Sequence, residues 1–197
     1  DVAQALVNST DRTPGILAAK FFDYPSKDST MIGVTGTNGK TSVTGIIHNI
    51  LVGLGEKSAL SGTIGFDLNG VLYESANTTS DALNTQQMIF RAKMVMEVSS
   101  HGLQLGRLAG VDYDVAVFTN LTHDHLDFHG TMENYGNAKS LLFSQLGQDL
   151  EKNKHVVLNA DDDWSARYAA MTPFPIWTYG LKNDAIFKAE NCRYEGG

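Results

Sequence analysis

The stretch Met31-Ile-Gly-Val-Thr-Gly-Thr-Asn-Gly-Lys-Thr-Ser42 constrains the fold more than any other. Met31 to Val34 is a short apolar run that reads as a buried strand, and Gly36 to Gly39 as a tight turn. From Ser42 onward Val43, Ile46, Ile47, Ile50 and Leu51 recur at helical spacing. Strand, glycine-rich turn, Lys-Thr and helix make a phosphate-binding loop. Backbone N–H groups of such a turn wrap an anion, and the helix N-terminus adds its positive dipole end. Lys40 would reach the β- and γ-phosphates, and the Thr41 hydroxyl would ligate Mg²⁺. The general pattern Gly-x-x-x-x-Gly-Lys-Ser/Thr is broken at its first position. Val34 stands there, with Gly33 one residue early.

Strands alternating with helices around this loop predict an α/β fold, a P-loop-containing, mainly parallel sheet flanked by helices. Asn69-Gly70 between apolar runs adds a small hairpin. The 197 residues suffice for one domain and part of another. With 15 basic and 22 acidic residues the net charge is −7, which argues against a general nucleic-acid surface. Any phosphate site must concentrate the few cations locally. A single cysteine, Cys192, gives no intrachain disulfide framework and fits a reducing cytoplasm. No apolar run approaches the ~18 residues of a membrane span.

Three polar stretches follow strand-like segments. Asn77-Thr-Thr-Ser-Asp81 is turn-like, and Ser80 or Asp81 would cap a helix. Met94 to Val98 is a buried strand carrying Glu97 near its C-terminal end, where open α/β sheets bind ligands. Beside a phosphate loop Glu97 is a Mg²⁺-ligand candidate. The helix pattern over residues 84–93 runs into this strand without a break. A connection of about 2–6 residues is usual, so either the helix is cut short or residues are absent here, and absence is the favoured reading. Ser99 and His101 lack the Gly-x-Ser-x-Gly surroundings of a hydrolase nucleophile. After the strand Val115–Phe118 comes Thr119-Asn-Leu-Thr-His-Asp-His-Leu-Asp-Phe-His129. Its histidines and aspartates fit a zinc hydrolase pattern until Phe128 takes the place of the last histidine. The phosphate loop argues against zinc, because such a hydrolase has no use for it. Asp161-Asp162-Asp163 invites a metal reading, but acids also suit a solvated helix N-terminus.

Gly36-Thr-Asn-Gly-Lys-Thr41 resembles the ATP loop of the Mur ligase family, and Glu97-Val-Ser-Ser-His101 resembles its tripeptide-synthetase form. The resemblance spans about residues 18 to 194 with the motifs in order. It implies that residues 1–30 are the tail of a nucleotide-sugar domain and a linker. Residues 31–197 would be the central ATP domain, with the C-terminal amino-acid domain absent. ATP would be held by Gly36, Thr37, Asn38, Gly39, Lys40, Thr41 and Ser42, with Asn159 of Asn159-Ala-Asp-Asp162 near the base. Asn77, Thr78, Thr79, Ser99 and Arg107 would hold the nucleotide sugar; Ser80 and Leu105 depart from the family pattern. Two Mg²⁺ sites are implied, drawing on Thr41, Glu97, His125 and Lys139, the last carbamylated to N6-carboxylysine. Carbamylation needs a neutral amine first, which burial favours. The catalytic set is then Lys40, His125 and Lys139.

The implied reaction adds a diamino acid to UDP-N-acetylmuramoyl-L-alanyl-D-glutamate through an acyl phosphate, in cytoplasmic peptidoglycan precursor synthesis. Diaminopimelate is favoured over L-lysine as the commoner amine, the selector lying in the C-terminal domain. A folylpolyglutamate-synthase-like ligase and a nucleotide-binding fragment without turnover are the alternatives.

Overall fold

The computed structural model describes residues 6–7, 10–68, 70–73, 78–91, 93–146 and 149–193. A helix α1 (Thr13–Phe21) and a 3-10 turn (Pro25–Lys27) lead into β1 (Met31–Thr35) and α2 (Lys40–Gly53). Then come β2 (Ser58–Gly62), β3 (Gly65–Leu68), β4 (Val71–Tyr73), α3 (Ala82–Arg91) and β5 (Lys93–Glu97). The chain continues through α4 (Ser100–Gln104), β6 (Val115–Phe118), α5 (Leu126–His129) and α6 (Met132–Gln145). It closes with β7 (His155–Asn159), α7 (Trp164–Ala169), β8 (Ile176–Gly180) and β9 (Phe187–Lys188).

These strands form one sheet in the order β4-β3-β2-β5-β1-β6-β7-β8-β9. Pairing is parallel throughout except in the β2–β3–β4 meander. The expected mainly parallel fold with a small hairpin is therefore present. The hairpin closes at Gly70, whose φ of 86° is left-handed and whose N–H donates to Asp67 Oδ1 at 2.8 Å. The chain winds outward to β2, returns to β5, then crosses β1 to β6. This reversal leaves a crevice at the C-terminal ends of β5, β1 and β6, where ligands bind in open α/β sheets.

The central strands are apolar because both faces are covered. Met31, Met94, Met96, Ala116, Phe118 and Val156 are wholly buried. Tyr113 and Leu142 of α6 fill the space over Gly33, where a Cβ would meet a Tyr113 ring carbon at 2.8 Å. Tyr168 of α7 stacks on Phe143 of α6, with centroids 4.7 Å apart, and meets Phe118 edge-on at 4.8 Å.

The structure departs from the sequence expectation in three places. α2 is helical as expected, but Thr44 and His48 are its buried residues, while Ile46 and Ile50 are more than half exposed. Thr44 Oγ1 bonds back to the carbonyls of Lys40 and Thr41, and His48 Nδ1 reaches Ser58 Oγ at 3.0 Å. A polar face can be buried here because its hydrogen bonds are satisfied. α3 ends at Arg91 and β5 begins at Lys93, with residue 92 between them outside the described residues. The cap of α3 is one of the two expected, Asp81, whose Oδ1 accepts from Asn84 N at 2.9 Å. Residues 185–194 read as a strand in sequence, yet among the described residues of that stretch only Phe187–Lys188 pair, as β9. Among the described residues no helix is long and apolar enough to cross a membrane.

Candidate nucleotide and metal site

The loop after β1 is built from backbone constraints. Gly36 has φ 148°, and a Cβ there would run into Thr119 Oγ1. Gly39, with φ 85°, ends the turn in the left-handed region and sits at the N-cap of α2. The loop is strapped to the segment after β6. Thr37 N donates to Asn120 O at 2.7 Å, and Asn38 N to Asn120 Oδ1 at 3.1 Å. Thr119 Oγ1 donates to Asn38 O at 2.6 Å, and Thr122 N to Thr37 Oγ1 at 3.0 Å. These bonds preform the loop, so the ordering cost of gripping an anion is largely met in advance.

The loop opens on a cleft of about 310 Å³ lined by Thr37, Asn38, Gly39, Lys40, Thr41, Thr63, Thr78, Glu97, Ser99, Ser100, His125 and Lys139. Ten site residues named from the sequence thus share one wall with Thr63 and Ser100, neither of which is given a role there. Lys40 Nζ donates to Gly36 O at 2.9 Å and Thr37 O at 2.8 Å. Burial lowers its pKa, opposed by the charges of Glu97 and Asp124. Lys139 is 1% exposed, donates to Gly36 O at 2.9 Å and lies 4.5 Å from the centroid of the Tyr135 ring. Burial, and then the neighbouring Lys40 charge, push its pKa down to about 7.

Glu97 is buried at the end of β5, and Thr63 N and Oγ1 both donate to its carboxylate. A Cβ at Gly62 would collide with that carboxylate. His125 stands in the left-handed region at φ 52°, an unusual conformation for a non-glycine residue that clusters at functional sites. Its Nε2 lies 3.5 Å from Asp124 Oδ2. His101 packs on Phe128 at 4.0 Å between centroids and meets the rings of His125 and His129 edge-on. His129 is buried against Ser100, with Nε2 and Oγ 2.9 Å apart, and burial lowers its pKa.

On the other flank Thr79 is buried, and its hydroxyl is occupied within the protein. It accepts from Ser99 N at 3.0 Å and has Glu97 O and Ser99 Oγ as acceptors. Ser99 in turn caps α4, its Oγ accepting from Gly102 N at 3.0 Å. Arg107 donates to Thr79 O at 3.2 Å, which brings it to this flank behind the cleft wall. Asn77 lies outside the described residues. Ser42 is exposed on α2 and does not line the cleft. Asn159 also lies off it, its amide donating to Thr119 O at 2.8 Å and its Oδ1 accepting from Asp161 N at 3.0 Å.

The neighbouring acids bind backbone. Asp161 accepts from the N–H groups of Leu181, Lys182 and Asn183, which hold its carboxyl below the ordinary range. Asp162 accepts from Leu121 N at 2.7 Å and Trp164 N at 2.9 Å, the latter at the start of α7. Among the described residues no three His, Cys, Asp or Glu side chains converge as a metal cage. His123 is exposed and His129 turns to Ser100. What the cleft offers instead is one buried carboxylate and the Thr41 hydroxyl beside a phosphate loop. That donor set suits Mg²⁺, which takes one or two carboxylates and completes its shell with phosphate oxygens and water.

A loop preformed for phosphate, a lysine within it and an acid at the adjacent strand end define a class, the P-loop nucleotide-binding α/β domains. The chain belongs to the Mur ligase family, the Mur ligase middle domain matching residues 34–197. It is 55% identical over 199 residues to UDP-N-acetylmuramoyl-L-alanyl-D-glutamate--L-lysine ligase of Staphylococcus haemolyticus, covering 98% of this chain and 40% of that protein. The Staphylococcus aureus strain COL ligase of the same name is 51% identical with the same coverage. A solved UDP-N-acetylmuramoyl-L-alanyl-D-glutamate--2,6-diaminopimelate ligase superposes with a TM-score of 0.75 at 32% identity, over 90% of this chain and 38% of that one. Escherichia coli FolC with ADP has a TM-score of 0.64 at 18% identity, over 90% of this chain and 49% of that one, a likeness of fold alone. The chain spans 40% of the length of the curated relatives it matches.

Proposed function

We propose that this chain is the central ATP-binding domain of an ATP-dependent ligase that adds a diamino acid to UDP-N-acetylmuramoyl-L-alanyl-D-glutamate in the cytoplasm. Residues 1–30 would be the end of the nucleotide-sugar domain and its linker. The observation that carries the reading is the pairing of Lys40 and Lys139 across Gly36, opposite the buried Glu97, in one cleft. The substrate carboxylate and the γ-phosphate are both anions. Bringing them together requires local positive charge and fixed geometry more than covalent chemistry. Loop N–H groups and Lys40 would hold the phosphates, and Asn159 would stand near the base. Thr41 and Glu97 would hold one Mg²⁺, while His125 and a carbamylated Lys139 would serve a second. Bound there, the cations would neutralise charge on the phosphates as the acyl phosphate forms. As an ammonium Lys139 donates to Gly36 O and offers no lone pair to a metal; its depressed pKa supplies the neutral amine that reacts with CO₂. Thr78, Ser99 and Arg107, with Asn77 and the backbone-braced Thr79, would grip the nucleotide sugar.

For the amine, the relatives at 51–55% identity are named L-lysine ligases, and the diaminopimelate ligase stands at 32%. That difference moves the weight from the diaminopimelate favoured on sequence grounds to L-lysine. The test is phosphate release by the intact protein with ATP, Mg²⁺ and the UDP-dipeptide, adding each amine in turn. Release that requires the nucleotide sugar and L-lysine is expected. Nucleotide binding without release under any combination would overturn the ligase reading.

A further inference from the structure

Thr63 belongs to no motif, yet it alone hydrogen-bonds the carboxylate of Glu97 among the described residues. Glu97 is 2% exposed, and no ion pair of the described residues includes it. A buried carboxylate without a cation is costly. Here Thr63 N donates to Oε1 at 2.9 Å and Thr63 Oγ1 to Oε2 at 3.2 Å. Thr63 occupies the turn between β2 and β3, and β2 pairs directly with β5, so the sheet itself sets this register. Gly62 supplies the room the carboxylate needs. The Thr63 hydroxyl has one hydrogen. Given to the carboxylate, it leaves the oxygen to accept from Thr78 Oγ1, 3.2 Å away on the same cleft.

We propose that Thr63 is a positioning residue that fixes the Glu97 carboxylate at the cleft wall as a ligand for a divalent cation and ties it to Thr78. Each carboxylate oxygen takes one bond from Thr63 and keeps lone pairs free for the cation. Partners of this kind orient metal ligands, and their loss typically weakens metal binding by 10–100-fold. The inference rests on the ligase reading only in assigning Glu97 to a nucleotide-bound cation.

The probe is Mn²⁺, titrated into the intact protein with a non-hydrolysable ATP analogue and followed by electron paramagnetic resonance. Thr63→Val keeps the shape and the backbone N–H but removes the hydroxyl. Its Mn²⁺ affinity should fall about tenfold, and Thr63→Ser should restore it to within about twofold of wild type. Equal affinity in wild type and Thr63→Val, or a loss that Thr63→Ser does not repair, would overturn the assignment and leave the ligase reading standing. A wild-type protein that holds no Mn²⁺ with the analogue would overturn both.

Discussion

Lys40 and Lys139 donate to the same acceptor: each side-chain nitrogen lies 2.9 Å from the carbonyl oxygen of Gly36. They are four and 103 positions from that glycine in sequence. One carbonyl cannot offset two buried ammonium groups. The more buried one, Lys139, is the one pushed down to about 7, by burial first and by Lys40 second.

This makes stability depend on pH in a defined direction. Between about pH 7 and the ordinary lysine value of 10.5, the unfolded chain binds a proton at Lys139 that the folded chain has released. The penalty is therefore full below pH 7 and fades as pH rises toward 10.5. In Lys139→Met it is absent. The thermal midpoint of wild type relative to this variant should climb from about pH 7 to about pH 9.5. A pH-independent difference would contradict the placement of the amine.

The same depressed pKa predicts reactivity toward CO₂. In ¹³C-bicarbonate the protein should show a carbamate carbonyl resonance that grows between about pH 6 and pH 8 as the amine becomes neutral. Lys139→Arg should abolish it. A signal that survives in that variant would assign the modification to another amine.

Gly36→Ala tests the loop. The φ of 148° and the collision with Thr119 Oγ1 leave no room for a methyl group. The strain, of order 1–3 kcal/mol, must be relieved by moving the loop or the segment strapped to it. Affinity for a fluorescent ATP analogue should fall at least about tenfold. Unaltered affinity would mean that the loop does not hold phosphate in this conformation.

Lys154 offers a contrast. It is fully buried, ion-paired to Asp112, and donates to Leu146 O at 3.1 Å. Lys152 bridges Asp112 and Asp114 and donates to Ser26 O at 3.0 Å. The Asp114 carboxylate in turn accepts from Met31 N. This network sits at the starts of β1, β6 and β7, the opposite end of the sheet from the cleft. Lys154→Met leaves Asp112 with Lys152 as its remaining cation and takes the donor from Leu146 O, and should cost up to about 3 kcal/mol in urea unfolding. Nucleotide affinity of the folded variant should stay within about twofold of wild type, as expected for a site with no shared partners.

What the sequence disclosed were features whose signals are local. β1, the glycine turn and α2 are contiguous, and β6 is bounded as its apolar run suggests. Thr131 caps α6, its side chain accepting from Asn134 N at 3.1 Å, a local signal of the same kind. Less legible were features set by tertiary pairing. The inward face of α2 follows from where the loop launches the helix, so Thr44 and His48 take positions that apolar spacing assigned to Ile46 and Ile50. Asp161 binds amides about 20 residues away, which no local rule anticipates. Thr63 meets Glu97 34 positions on, only because β2 lies beside β5. The signal that could have found it is its place at the C-terminal end of a parallel strand next to one bearing an acid.

The strapping of the phosphate loop also bears on how the domain folds. Its bonds to the segment after β6 span 81 to 85 positions, and that from Lys139 spans 103. Contacts at such separations carry a large loop-closure entropy and form late, after the sheet has brought distant strands together. A nucleotide that depends on them gains little grip on early species along the folding route. Its stabilisation should therefore appear as slower unfolding, with the refolding rate nearly unchanged.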